Sequence, residues 1–365
     1  MSEFKKRVAK FADNMKAAGI DTSVLFNQGH IRYFTNFRVN QAAETVLIIG
    51  NDASISFLVP RLDLFRAKID CWIDHIVSFL EDTPDYLAPL RKLLNREWKT
   101  IGIEQNTISA HHLSYISDIC KGRMEPIDSL LVNQMKIKTD WEIEKLKKAA
   151  HIASLTMNEV KRYIALNQNV TEREATGYAK YTMEKNGAEN YSFEPFMMSG
   201  LDAALPRRVS TDKVLTEGEL ILFDMGCIYD GYCSDITRTF SLGQPSMKQK
   251  EIFDIALKAQ KKAIGAIKPG VRSHEVDAVA RDFITESGYG EYFPHLTGHG
   301  LGLFVHEHPI LDKGEESILM ENMVLTVEPG IYVPEIGAAR IEDMILVTED
   351  GYEYLTTSSR ELLLN

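Results

Sequence analysis

The 365-residue chain has only four cysteines, Cys71, Cys120, Cys227 and Cys233, and no Cys-x-x-Cys pair, which excludes a disulfide framework or a thiolate zinc cluster as the basis of the fold. Cys227 and Cys233 flank an Asp-Gly turn and could approach one another, but inert thiols and no structural disulfide are expected. Basic residues are outnumbered, 41 Lys and Arg against 52 Asp and Glu, and the formal net charge of -11 argues against a nucleic-acid partner. No apolar run reaches the ~18 residues of a membrane span. The first six residues open a basic amphipathic helix and lack a signal-peptide core, so a cytoplasmic protein with no membrane partner is expected. Low-complexity tracts are missing too. With 44% hydrophobic residues the chain has apolar material for sizeable cores.

Two familiar motifs are also missing. Gly298-His299-Gly300-Leu301-Gly302 has neither the dinucleotide-binding glycine spacing nor a phosphate-loop lysine, and His306-Glu307-His308 lacks the His-Glu-x-x-His spacing of a helical zinc site. What the C-terminal half does hold is five ligand-type side chains, Asp224, Asp235, His299, Glu328 and Glu342. Residues 220–240 read as two apolar runs joined by Asp230-Gly231, a strong two-residue hairpin signal. With that pair as the loop, Gly226 lies opposite Asp235 and Asp224 points to the same face, so the two acids are diagonal neighbours about 5 to 8 Å apart. Glu328 and Glu342 repeat the pattern on two further strand-like segments separated by Pro334 and Gly337. His299 sits between glycines that permit close backbone approach. A lone acid is usually a solvated surface carboxylate. Four on inward-reading strands repel one another unless cations reverse the sign of the interaction, and a pair of divalent metals is the simplest candidate.

These residues carry a resemblance. Phe223-Asp224-Met225-Gly226, Asp235-Ile236-Thr237-Arg238-Thr239, Gly298-His299-Gly300 with Val305-His306-Glu307, Val327-Glu328-Pro329-Gly330 and Ala339-Arg340-Ile341-Glu342-Asp343 are similar, in order and spacing, to the metal-dependent aminopeptidase P and prolidase group. The aspartates stand eleven positions apart and the glutamates fourteen. The resemblance implies an α+β fold: a pita-bread catalytic domain, in which helices pack outside a curved antiparallel sheet, preceded by an N-terminal α/β domain. It further implies that Asp224 binds one metal through both oxygens, that His299 and Glu328 serve the other, and that Asp235 and Glu342 bridge the pair. Oxygen-dominated ligation with one imidazole suits Mn2+ first, with Co2+ or Zn2+ able to substitute. Glu328 is then the candidate general base and His306 the donor to the developing oxyanion. Arg340, two residues before Glu342 on the same strand face, can support that carboxylate from behind.

The implied activity is hydrolysis of the bond between an N-terminal residue and proline in dipeptides or short peptides, by a homodimer. Proline's tertiary amide has no N–H, so peptidases that grip that donor handle such bonds poorly. His295, Arg207 and Phe193 are the candidate substrate-binding residues, though a turn, surface or core role is open for each. Two positions depart from the family pattern. Arg207 follows Pro206 where proline-specific members carry histidine, and Ile310 follows His308-Pro309 where dipeptidase members often carry arginine. Arg207 could supply the carboxylate-binding fork that Ile310 lacks. Otherwise the substrate differs: a same-fold hydrolase of a non-peptide C–N bond, in a small amidine or cyclic amino acid, is the nearest alternative, and an inactive binding protein on this fold is another.

Residues 1–135 alternate helix and strand patterns and carry no chemical motif, which defines the N-terminal α/β domain. Residues 136–365 form the catalytic domain, opened by the capping box Thr139-x-x-Glu142 and a long helix with Ile143, Leu146, Ala150, Ala153, Met157, Val160 and Ile164 on one face. Thr171-x-x-Glu174 and Ser246-x-x-Gln249 cap two more helices, and the two carboxylate hairpins hint at an internal repeat.

Overall fold

In the computed structural model of the protein, the described residues are 2–39, 44–80, 88–94, 98–206 and 209–364. They divide into two compact units, Met1–Met135 and Lys136–Asn365. The first is a six-stranded mixed sheet. Its inner strands Thr22–Leu25, Val46–Gly50, Ile55–Pro60 and Thr100–Ile103 coincide with the β-branched runs of the sequence. Of the two edge strands, Ile76–Phe79 is a short β-branched and aromatic run, whereas Arg123–Pro126 carries no comparable sequence signal. The second of them is polar and half exposed, as edge strands often are, and parallel pairing with Thr100–Ile103 makes it a strand.

In the second unit every ladder among the described residues is antiparallel. The three capping boxes form, and they start the helices Asp140–Leu166, Glu172–Lys185 and Met247–Gly265. The period-two pattern of the strands decides what each face meets. Phe223 and Met225 of the strand Leu220–Met225, with Ile236 and Phe240 of the strand Ile236–Ser241, pack against Met157, Val160 and Ala179 of the first two helices. Leu325 and Val327 of Val324–Val327, with Ile345 of Asp343–Val347, pack against Ile252, Ala256 and Ala263 of the third and Val276 of the helix Ser273–Glu286. The alternate residues, Asp224, Thr237 and Thr326 among them, face away from those helices. Each hairpin thus has a pair of helices behind it, while its other face mixes the polar site residues with apolar ones: Leu222 packs on Tyr332 and Ala338, and Val324, Met344 and Leu346 on Ile143, Leu146 and Ala150 of the first helix.

The Asp230-Gly231 turn has φ values of 48° and 88°, as a two-residue hairpin of this twist requires. One register runs through the whole hairpin, Ile228 opposite Cys233 and Met225 opposite Ile236. Between them a Cβ on Gly226 would stand 1.9 Å from the Ser234 carbonyl oxygen. Gly226→Ala is therefore expected to destabilise the protein by about 3 kcal/mol, read as a lower denaturant midpoint, because backbone rather than a flexible side chain must move. Cys227 and Cys233 are not joined in a disulfide, and their thiols point to the carbonyls of Ala149 and Leu303.

Candidate metal centre

Two hairpins and one short strand bring the acids together. Asp224 is paired with Thr237 in the first hairpin, and Asp235 lies just before its second strand. The second hairpin is interrupted where continuous strands are expected from sequence. Val324–Val327 pairs with Asp343–Val347, and Gly330–Val333 pairs with Gly337–Arg340, in one register that sets Glu328 across from Glu342 in the gap. Pro329, which cannot donate to a ladder, stands in that gap. Glu328 N donates instead to Thr297 O (2.7 Å) and Glu342 N to Thr237 O (3.1 Å). The hairpins are stitched at Thr239, whose hydroxyl donates to Arg340 O (2.9 Å) and accepts from Arg340 N (3.0 Å). The strand Gly298–Gly300 delivers His299, its N–H donating to Thr326 Oγ1 at 3.1 Å.

Asp224, Asp235, His299 and Glu342 are buried, and Glu328 is partly so. Ligand-type atoms of Asp235, His299 and Glu342 lie within 4.8 Å of one another. His299 Nε2 stands 3.3 Å from Glu328 Oε1 and 3.7 Å from Asp235 Oδ2. Its Nδ1 lies 2.9 Å from the Gly300 carbonyl, and as donor there it leaves Nε2 to face the acids. Arg340 is the local counter-charge. It contacts Asp224 Oδ2, donates to Tyr332 Oη (2.6 Å) and Thr237 Oγ1 (3.1 Å), and lies 3.8 Å from Glu328 Oε2.

One guanidinium does not satisfy four carboxylates. Asp224 Oδ1, Asp235 Oδ1 and Glu342 Oε1 are buried with no hydrogen-bond partner among the described residues. Burial, then the charges of neighbouring acids, push the Asp235 and Glu342 carboxyls well above the usual range, and burial raises Asp224 to about 6 despite Arg340. Burial also pushes Glu328 upward, but the hydrogen bond and charge of His299, joined by Arg340, outweigh it and bring Glu328 down to about 2. Buried acceptor oxygens beside an imidazole nitrogen are a hard-cation donor set, and divalent metal fits the residues present. Contact with Arg340 occupies one oxygen of Asp224, where the resemblance implies that both serve metal.

The other sequence candidates fall around this cluster. The His306 ring lies 4.4 Å from that of His299; His306 is exposed on a turn whose other residues are buried or partly so, and partial burial of the ring followed by the His299 charge lowers its pKa. His295 Nε2 is 3.1 Å from Tyr332 Oη, which joins it to Arg340. Phe193 packs 6.4 Å from Phe196, the residue paired with Asp224 and lying 5.7 Å from Arg340. Arg207 lies outside the described residues. Thr237, Thr326, Tyr332 and Phe196 escape a search for ligand-type side chains. Thr237 donates to Glu342 Oε2 (2.7 Å), and its place opposite Asp224 can be read from the Asp-Gly register.

Residues 144–349 match the model of metallopeptidase family M24, and residues 7–136 match that of the creatinase/prolidase N-terminal domain. An Xaa-Pro dipeptidase of Pyrococcus horikoshii is 36% identical over 371 residues, covering 100% of both chains. Among solved structures, an Xaa-Pro dipeptidase from Bacillus anthracis superposes with a TM-score of 0.91 at 37% identity, covering 99% of each chain. The prolidase from Pyrococcus horikoshii gives 0.91 at 36%, covering 98% of this chain and 99% of that one. Sheltered acids with unsatisfied oxygens, an N-terminal α/β unit and chain-length similarity to prolidases lead to one statement: the chain belongs to metallopeptidase family M24, with the two-domain architecture of the prolidases.

Proposed function

We propose that this protein hydrolyses the bond between an N-terminal residue and proline in dipeptides, with two divalent cations, Mn2+ first, held by Asp224, Asp235, His299, Glu328 and Glu342. The observation that carries the reading is the set of buried, unsatisfied carboxylate oxygens converging beside His299, on a chain similar along its full length to Xaa-Pro dipeptidases. When bound, the cations supply the positive charge that acidifies the attacking water and draws electron density from the scissile carbonyl. Glu328 is assigned the proton of that water and its delivery to the departing proline nitrogen. His306, neutral because its pKa is lowered, donates an N–H to the oxyanion as it forms. Arg340 holds Asp224 while Thr237 and Tyr332 fix the guanidinium. Phe196 and Phe193 offer an apolar wall, and His295 a polar group at its side.

Arg207 is assigned the substrate's free carboxylate. Arg207→Ala is expected to lose activity on Ala-Pro on the order of tenfold or more, as loss of a charged hydrogen-bond partner does, while Ala-Pro-Ala is affected little. Equal kinetics for both would remove that role. The departures at Arg207 and Ile310 also favour a second reading, hydrolysis of a non-peptide C–N bond in a small amidine or cyclic amino acid. A panel of Xaa-Pro dipeptides, Xaa-Pro tripeptides, non-proline peptides and such C–N substrates, assayed with Mn2+, separates the readings. Turnover confined to the last class would overturn the first. The protein is further proposed to be a cytoplasmic homodimer, which sedimentation tests; no described helix is long and apolar enough to cross a membrane.

A further inference from the structure

One buried ion pair takes no part in the chemistry described so far. Lys138 Nζ lies 2.6 Å from Glu307 Oε2, and the two side chains are 2% and 7% exposed. Removing two charges from water is costly, and such a pair is weak support for stability on its own, so its presence calls for a geometric task. Glu307 follows His306 in the chain. Its second oxygen, Oε1, accepts from Phe304 N at 3.1 Å, and a Cβ on Gly302 would come within 2.7 Å of the same oxygen. The carboxylate is therefore packed inside the turn that presents His306.

The backbone closes the same turn. Gly302 N donates to Phe304 O (3.0 Å), and Gly302 O accepts from Cys233 N (2.7 Å), two residues before Asp235. Lys138 is equally fixed. Its N–H donates to Asn322 O (2.8 Å), and Thr139, the next residue, caps the helix Asp140–Leu166. The ammonium is thus delivered from a capped helix start to the far side of the turn, 169 residues on, whose exposed imidazole lies 4.4 Å from that of His299, tilted by 53°.

We propose that Lys138 and Glu307 are positioning residues: their buried pair sets the 302–307 turn and so holds His306 beside His299, where the oxyanion forms. Neither touches substrate. The inference rests on the role given to His306 above.

A double-mutant cycle of Lys138→Met with His306→Ala tests it, assayed on an Xaa-Pro dipeptide with Mn2+. Lys138→Met is expected to lower kcat on the order of a hundredfold, the usual consequence of a misplaced group, with KM and calorimetric Mn2+ affinity unchanged. In the His306→Ala background the same change should cost little more. The His306 ring resonance, assigned by its loss in His306→Ala and followed in the diamagnetic Zn2+-loaded protein, should shift or broaden in Lys138→Met. Glu307→Gln keeps the acceptor for Phe304 N and runs the same cycle if Lys138→Met does not fold. Equal losses in both backgrounds, or an unmoved ring resonance, overturn the proposal. Should His306→Ala alone retain full turnover, the oxyanion role fails; a moved resonance then still supports positioning of His306 by the pair, and an unmoved one removes it.

Discussion

Stripping divalent metal with a chelator is expected to abolish hydrolysis and to lower the thermal midpoint, by more near pH 7.5 than near roughly pH 5. The sign follows from the acids. Asp235 and Glu342 have folded-state pKa values raised well above those of an unfolded chain, first by burial and then by neighbouring carboxylates. Above about pH 4, the unfolded chain has released protons that the metal-free native state still holds. Native protein then binds more protons than unfolded, so its stability falls as pH rises through the interval up to the folded values. His299 acts in the same direction, because its raised pKa contributes stability that is present below the unfolded value and lost above the folded one. Glu328, held down to about 2, loses its contribution only in acid, outside this window. Bound cations replace those protons, so the gap between loaded and stripped protein widens with pH. Single ions restored one at a time then rank Mn2+, Co2+ and Zn2+ by recovered rate. Full activity after chelation, or a midpoint change that ignores pH, would refute the centre.

His306→Ala is expected to lower kcat by about a hundredfold to a thousandfold, the usual cost of deleting one oxyanion donor. Metal content should be unchanged, because the exposed His306 lies beside His299 and the acids converge without it. Its pKa is lowered by burial and by the adjacent imidazole, so the neutral ring can donate through one nitrogen across the neutral range. Loss of metal together with rate would instead make His306 part of the cation site. A wild-type rate would leave the oxyanion to other donors.

The first hairpin was legible because its information is local. Asp230-Gly231 demands positive φ, that demand sets the register, and the register puts Asp224 opposite Thr237 and on the face of Asp235. Helix starts were legible for the same reason, since Thr139, Thr171 and Ser246 meet their partners three residues on. The second hairpin was less so. Its interruption between Val327 and Gly330 depends on bonds from Glu328 N to Thr297 and from Glu342 N to Thr237, groups distant in sequence. The edge strand Arg123–Pro126 likewise depends on a neighbour to pair with.

Residue order alone was sufficient to mark the acids and the imidazole, because ligand chemistry and turn geometry are properties of short segments. It could not say how they share charge. Arg340 reaches Asp224 across 116 residues, Thr237 reaches Glu342 across 105, and Lys138 reaches Glu307 across 169. Such partners are chosen by which strands and helices pack together in three dimensions, and burial there converts ordinary carboxylates into acids that need a cation.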